Sequence, residues 1–182
     1  DLYSSMTEGV AFHQVIEDKT GKMVDYIITD VNPAYEKITG MPKEAVVGKK
    51  ASESYGTKKP PYLHRYAKVV TTGKSTQFET YFPPMEKHFS ISCISSSKGK
   101  FITVFHDITN NKKAEKELNK SFEKFKLLSE TTSQLLASKN PQNSIEDICI
   151  KVMQYLYCDC FFNFLIDEAK GKLILNAHKG IP

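Results

Sequence analysis

Cysteine and histidine are the side chains best suited to chemistry here, and their spacing assembles no reactive centre. Four cysteines stand at Cys93, Cys149, Cys158 and Cys160. Cys158-Asp159-Cys160 puts a single residue between its thiols, where zinc and redox pairs have two. The scatter is no disulfide framework, and it reads as a reducing, cytoplasmic compartment. A buried Cys beside the aromatic strand 161–167 reads first as a small apolar side chain, and only second as a thiolate for haem iron. His13 and His106 stand alone and read as structural. No nucleophile–base pair, metal cluster or glycine-rich phosphate loop is assembled, and neither a phospho-acceptor His motif nor ATP-lid glycines occur. The chain reads as a non-catalytic module with no metal site.

Composition narrows the rest. At 40% hydrophobic and 25% charged residues, this is an ordinary globular chain of 182 residues. The net charge of +4 is mild, and Lys alternates with Glu most densely after residue 111. That pattern is a solvated helix face, not a nucleic-acid surface. No apolar run approaches the roughly 20 residues of a bilayer span, and no signal peptide is visible, so membrane contact by this fragment is not expected. Starting at Asp1 and stopping at Pro182 after a strand-like segment, it reads as a piece of a longer protein, whose anchoring stays open.

The elements that position these residues follow from periodicity. Gly9–Glu17 and Met23–Val31 are β-prone runs around the polar turn at 18–22, a hairpin. Asn32-Pro33 is an N-cap followed by proline at the first helical position, and Gly40 closes that helix. Short helical turns come next at 41–48 and 51–55. Pro60-Pro61 suits the start of a helix carrying Tyr62, Leu63, Tyr66, Val69 and Val70, closed by Gly73. Strands are predicted at 76–82, 88–95 and 100–108. Strands at both ends with helices between them predict an α+β domain, its helices crossing one face of an antiparallel sheet.

Several residues in this order resemble the PAS sensor domain. Asp30-Val31-Asn32-Pro33-Ala34-Tyr35 leading to Thr39-Gly40 is similar to its D-x-N-x-A…T-G segment, and Glu44 to Gly48 to its E…G continuation. Phe101 to Thr109, closing on Asp107-Ile108-Thr109, resembles its last strand. The resemblance covers about residues 5–118. It implies a five-stranded antiparallel sheet in order 2-1-5-4-3, with helices on one face enclosing a pocket. Alignment with flavin-binding relatives points Phe101, Thr103 and Phe105 inward, with Phe78, Thr80, Phe82, Ser90 and Ser92. The candidate ligand-binding residues are Tyr35, Tyr66, Phe78, Thr80, Ser90, Ser92, Thr103 and Phe105. The outer face would then carry Phe89, Ile91, Cys93, Ile102 and Val104, an apolar surface suited to a helix or second subunit. The cofactor stays unnamed. Photoadduct-forming relatives place a reactive Cys in the short helix after this glycine, and Gly48 to Ser54 contains none. Haem-binding relatives use a His on the long helix, where His64 lies a little off the ligand position; it reads as a surface residue first and a haem ligand second.

From Asn111 to about Ser138 no Pro or Gly interrupts a helical rod. With Asn111 at heptad position a, Leu118, Phe125 and Thr132 share a, while Ala114, Ser121, Leu128 and Leu135 share d. Leu118, Phe125, Leu128 and Leu135 are the candidate dimer seam, with Phe122 on a competing stripe. Asn140 to Asn143 breaks the rod, and Ser144 is expected to cap a new helix with Asp147. Strands 161–167 and 173–179 and the final Gly180-Ile181-Pro182 complete the chain. This segment resembles the opening of a GAF domain. The domains expected are 1–109 PAS, 110–140 linker helix and 141–182 truncated GAF.

The functional expectation is a sensory module. A ligand or cofactor state in the PAS pocket shifts the last strand, and Asp107, Ile108 and Thr109 couple that shift to the rod. Output lies downstream, as in sensor histidine kinases, with the module a homodimer through the rod and outer sheet face. The alternative is a protein-interaction module whose pocket is filled by side chains.

Overall fold

The computed structural model describes residues 2–138 and 141–180, in two compact units, 1–114 and 115–182. In the first unit a short helix α1 (Leu2–Ser5) precedes strands β1 (Gly9–Glu17) and β2 (Met23–Val31). Helices α2 (Pro33–Thr39), α3 (Lys43–Val46), α4 (Ala51–Ser54) and α5 (Leu63–Thr72) come next. Strands β3 (Thr76–Phe82), β4 (Lys87–Ser97) and β5 (Lys100–Asp107) complete a five-stranded antiparallel sheet in the order β2-β1-β5-β4-β3. The fold class is the α+β architecture that the strand–helix–strand order predicts.

Local chemistry sets the boundaries. Asn32 caps α2, its side chain accepting from the Tyr35 N–H, and Pro33 sits where no helical hydrogen bond is lost. Gly40 closes α2 at φ 73°, a conformation that costs a glycine nothing. Gly9 has another role: a Cβ there would stand 2.5 Å from the Phe105 ring, so only glycine lets that ring lie across β1. The start of α5 differs from expectation. Helix begins at Leu63 and not at the prolines, because Tyr62 adopts φ 55° and breaks the backbone direction.

The core lies between the sheet's inner face and the helices. Tyr35, Phe101, Ile28, Val46, Val69 and Cys93 are among its fully enclosed members. One register feature decides which side chains reach it. Between β4 and β5, Ser95 pairs with Phe101 but Ser97 pairs with Lys100, so Ser96 is an extra, unpaired residue. Such a bulge reverses the faces of everything beyond it. Ile91 therefore stands opposite Phe105 and Cys93 opposite Thr103. This corrects the faces expected for β4: Phe89, Ile91 and Cys93 point inward, and Ser90 and Ser92 lie on the outer face beside His106 and Val104. That outer face carries Val10, Phe12, Ile94, Ile102 and Val104 between the serines, and Tyr3 of α1 meets Phe12 edge-on.

A single helix α6 (Thr109–Ala137) leaves β5 directly, starting ahead of the expected Asn111. In the second unit, α7 (Pro141–Leu156) precedes a hairpin of β6 (Phe161–Asp167) and β7 (Lys172–Lys179). Since α7 starts at Pro141, Ser144 lies inside it and not at its cap. Asn140 and the closing Ile181-Pro182 fall outside the described residues. Lys151 of α7 donates to Gln134 of α6 at 2.9 Å. Phe164, Ile166 and Leu173 on one strand pair after another stay exposed, as do Leu165 and Ile174 on the opposite side. No helix among the described residues is long and apolar enough to cross a membrane.

Candidate functional site

The helices close over the inner sheet face around a cavity of about 50 Å³. Its floor is His13 from β1, Thr103 and Phe105 from β5, and Phe89 and Ile91 from β4; Tyr66 of α5 and Tyr55 close it from above. Tyr62 and Met85 line it while remaining partly exposed. The volume suits a water or two, against the roughly 300–1,000 Å³ of pockets that enclose drug-sized ligands.

Polar groups in the cavity are few and neutral. His13 is 4% exposed, with Nε2 2.9 Å from Thr103 Oγ1 and with Nδ1 buried and unpartnered. Its ring stacks on Phe101 at 4.5 Å and meets Tyr26 edge-on. Burial among these rings drives its pKa down to about 3, so the imidazole is neutral. Tyr35 and Tyr55 share a hydroxyl–hydroxyl hydrogen bond of 2.9 Å. Burial pushes both phenols up, that of Tyr55 to about 12. The Tyr26 hydroxyl donates to the Pro61 carbonyl, fixing the loop before α5.

Of the expected pocket residues, Tyr66, Thr103 and Phe105 line the cavity. Tyr35 stands behind them, touching Phe105 edge-on and reaching the wall through Tyr55. Phe78 packs against Tyr62, with the Arg65 guanidinium 4.4 Å above its ring. Thr80 shares the inner face with Phe78 and Phe82 but sits half-exposed at the edge strand. Ser90 and Ser92 are excluded by the bulge. His64 lies outside this cavity, lining a separate and larger space of about 410 Å³ with Val15, Lys22 and Leu63. Sequence reasoning missed His13, Tyr26, Tyr55, Ile91 and Phe89 as wall residues. The signal for the last two was present: Phe89, Ile91 and Cys93 are the apolar set of β4, and an apolar set belongs on the covered face. Among the described residues, no group of three or more His, Cys, Asp and Glu could hold a metal ion.

The joint between β5 and α6 is tied to the same region. Asp107 Oδ1 accepts from the Thr109 N–H, an Asx turn that opens α6. Its other oxygen pairs with Lys87 Nζ at 3.0 Å. Partial burial pushes the Asp107 carboxyl up, but the Thr109 and Lys87 hydrogen bonds outweigh it and hold the group below the usual range. Lys87 also donates to the Ile38 carbonyl at 2.7 Å. The Ile108 N–H donates to the His88 carbonyl, and the His88 N–H to Thr109 Oγ1. Lys87 follows Glu86, the cap of the 3₁₀ turn Pro83–Met85, whose Met85 lines the cavity together with Phe82 before it.

Residues 24–113 match the family described as PAS fold, and this segment is a PAS domain, a sensory module typical of signal-transduction proteins. Similar solved structures include a domain of an HTR-like protein from Haloarcula marismortui, at 22% identity and TM-score 0.44 over 57% of this chain and 100% of that one. Another is a domain of a sensory box sensor histidine kinase/response regulator from Geobacter sulfurreducens, at 13% identity and TM-score 0.42 over 58% and 88%. A third is the Rhodobacter sphaeroides LOV protein, at 9% identity and TM-score 0.42 over 86% and 90%. No curated protein matches the chain.

Proposed function

We propose that this chain is the sensor-and-linker part of a signalling protein. A small molecule in the PAS cavity alters the turn 83–86, and the Lys87–Asp107 tie passes the change to α6. The observation that carries this reading is that tie: Lys87, two residues after the cavity-lining Met85, pairs with Asp107, whose other oxygen accepts from Thr109 at the start of the 29-residue α6. A plain spacer has no use for a salt bridge, an Asx turn and two cross-strand hydrogen bonds at its root. The helix bears Leu118, Phe125, Leu128 and Leu135 along one seam, all exposed. We assign it to a parallel homodimer, with the outer sheet face as a second contact. Beyond α6, the hairpin β6–β7 is apolar on both faces, as a strand pair buried inside a larger sheet is. We read this hairpin as the opening of a GAF domain, with an output module, a histidine kinase, further along the parent protein.

The reading is tested by filling the cavity. Ile91→Phe adds bulk beside Phe105 and should raise the hydrogen-exchange rates of the amides at 108–112 in a chain that still folds. Unchanged exchange there would separate cavity from joint and leave α6 a spacer. A second reading is favoured by the small cavity volume: an interaction module whose pocket is filled by its own side chains.

A further inference from the structure

His13 leaves a nitrogen in the cavity wall without a partner. Buried polar atoms are nearly always satisfied, and His13 lines the cavity while its Nδ1 is buried without a partner, so this ring is where a bound group would be anchored. We propose, resting on the sensory reading above, that the cavity takes a small uncharged single-ring aromatic molecule whose hydroxyl or N–H donates to His13 Nδ1.

Three features set this class. No Asp, Glu, Lys or Arg lines the cavity, so a charged ligand would lose its hydration without a counter-charge. The walls are largely aromatic, including Tyr26, Tyr66, Phe89 and Phe105, and favour edge and offset contacts with another ring. In the tautomer whose Nε2–H donates to Thr103 Oγ1, Nδ1 is left as an acceptor, and burial keeps the ring neutral. A ring needs more room than the closed cavity offers. Tyr62 and Met85, the partly exposed wall residues, would have to move outward to admit it.

Phenol and toluene test the proposal, because they differ by the hydroxyl. Each is titrated into the full 182-residue chain and followed by calorimetry and by the ring-nitrogen resonances of His13. Phenol should bind about ten-fold more tightly than toluene, the order of one buried hydrogen bond, and should shift the Nδ1 resonance. His13→Phe should erase that preference while toluene still binds. Equal affinities in the native chain, or a preference that survives His13→Phe, would overturn the anchoring role and leave the sensory cavity standing. Binding of neither probe to folded protein would overturn the aromatic class and leave the sensory reading to the Ile91→Phe test. Where His13→Phe does not fold, the Nδ1 resonance of the native chain decides.

Discussion

Asn32 joins four segments with one side chain. Its Oδ1 accepts from Val10 and Tyr35 N–H groups, and its Nδ2 donates to the Glu8 and Tyr3 carbonyls. Removing it uncaps α2 and strands the buried Val10 N–H. Asn32→Ala should therefore cost about 2–4 kcal/mol, read as a lower urea midpoint with an unchanged slope. His13 carries the second prediction at this scale. Its folded pKa lies near 3, below the ordinary 6.5, so the unfolded chain binds the extra proton between those values. Stability is full above pH 6.5 and falls as the pH drops through this window. The loss is about 1.4 kcal/mol per pH unit, or on the order of 2–3 kcal/mol by pH 4.5. The ring's neighbours Thr103, Tyr26, Tyr66 and Phe101 do not titrate in that range. Unfolding curves of His13→Phe should lose the part of this slope between pH 6.5 and about 5 and keep the more acidic loss from Asp18, Asp30 and Asp107, whose carboxyls are held below their usual range; a slope matching the native chain above pH 5 would contradict the assignment.

Elements bring these residues to their positions, and here register matters more than propensity. The one extra residue at Ser96 turns Ile91 toward the cavity and Ser92 away from it. Strand β4 keeps its strict alternation on both readings, and only its phase differs. α6 presents the opposite case, since its pattern is clear and its partner is a proposal. Leu128, 56% exposed, sits mid-seam. In a parallel dimer, Leu128→Lys buries two like charges against each other, so the chain should run as a monomer in light scattering while its helical circular dichroism falls only slightly. A dimer of unchanged mass would remove α6 from the interface.

At the scale of the whole molecule the chain divides into two units of unequal completeness. The first has a closed sheet-and-helix core, with Tyr35 and Phe101 fully enclosed. The second leaves Phe162, Phe164, Ile166 and Leu173 on the surface of a lone hairpin, and an isolated hairpin is marginal in water. A chain ending at Ala114 should therefore unfold cooperatively at nearly the midpoint of the PAS transition in the full chain. A midpoint lower by more than about 5 °C, roughly 1 kcal/mol for a domain of this size, would show that the first unit depends on residues 115–182 for its stability.

The amino-acid order by itself determined the local features, because each rests on neighbours in the chain. Asn32-Pro33 and Gly40 bounded α2, the apolar runs marked all seven strands, and Asp107-Ile108-Thr109 marked the passage into α6. The run of strands, helices and strands, with the PAS resemblance it carries, was enough for the sheet order. Only the tertiary structure decided which side chains meet across the sheet. The apolar set of β4 was legible, but its phase against β5 turns on a one-residue bulge, which placed Phe89 and Ile91 at the inner face in place of Ser90 and Ser92. His13 stands 90 residues from Thr103 in the chain. Its burial, its neutrality and its unpartnered nitrogen exist only once β1 lies beside β5.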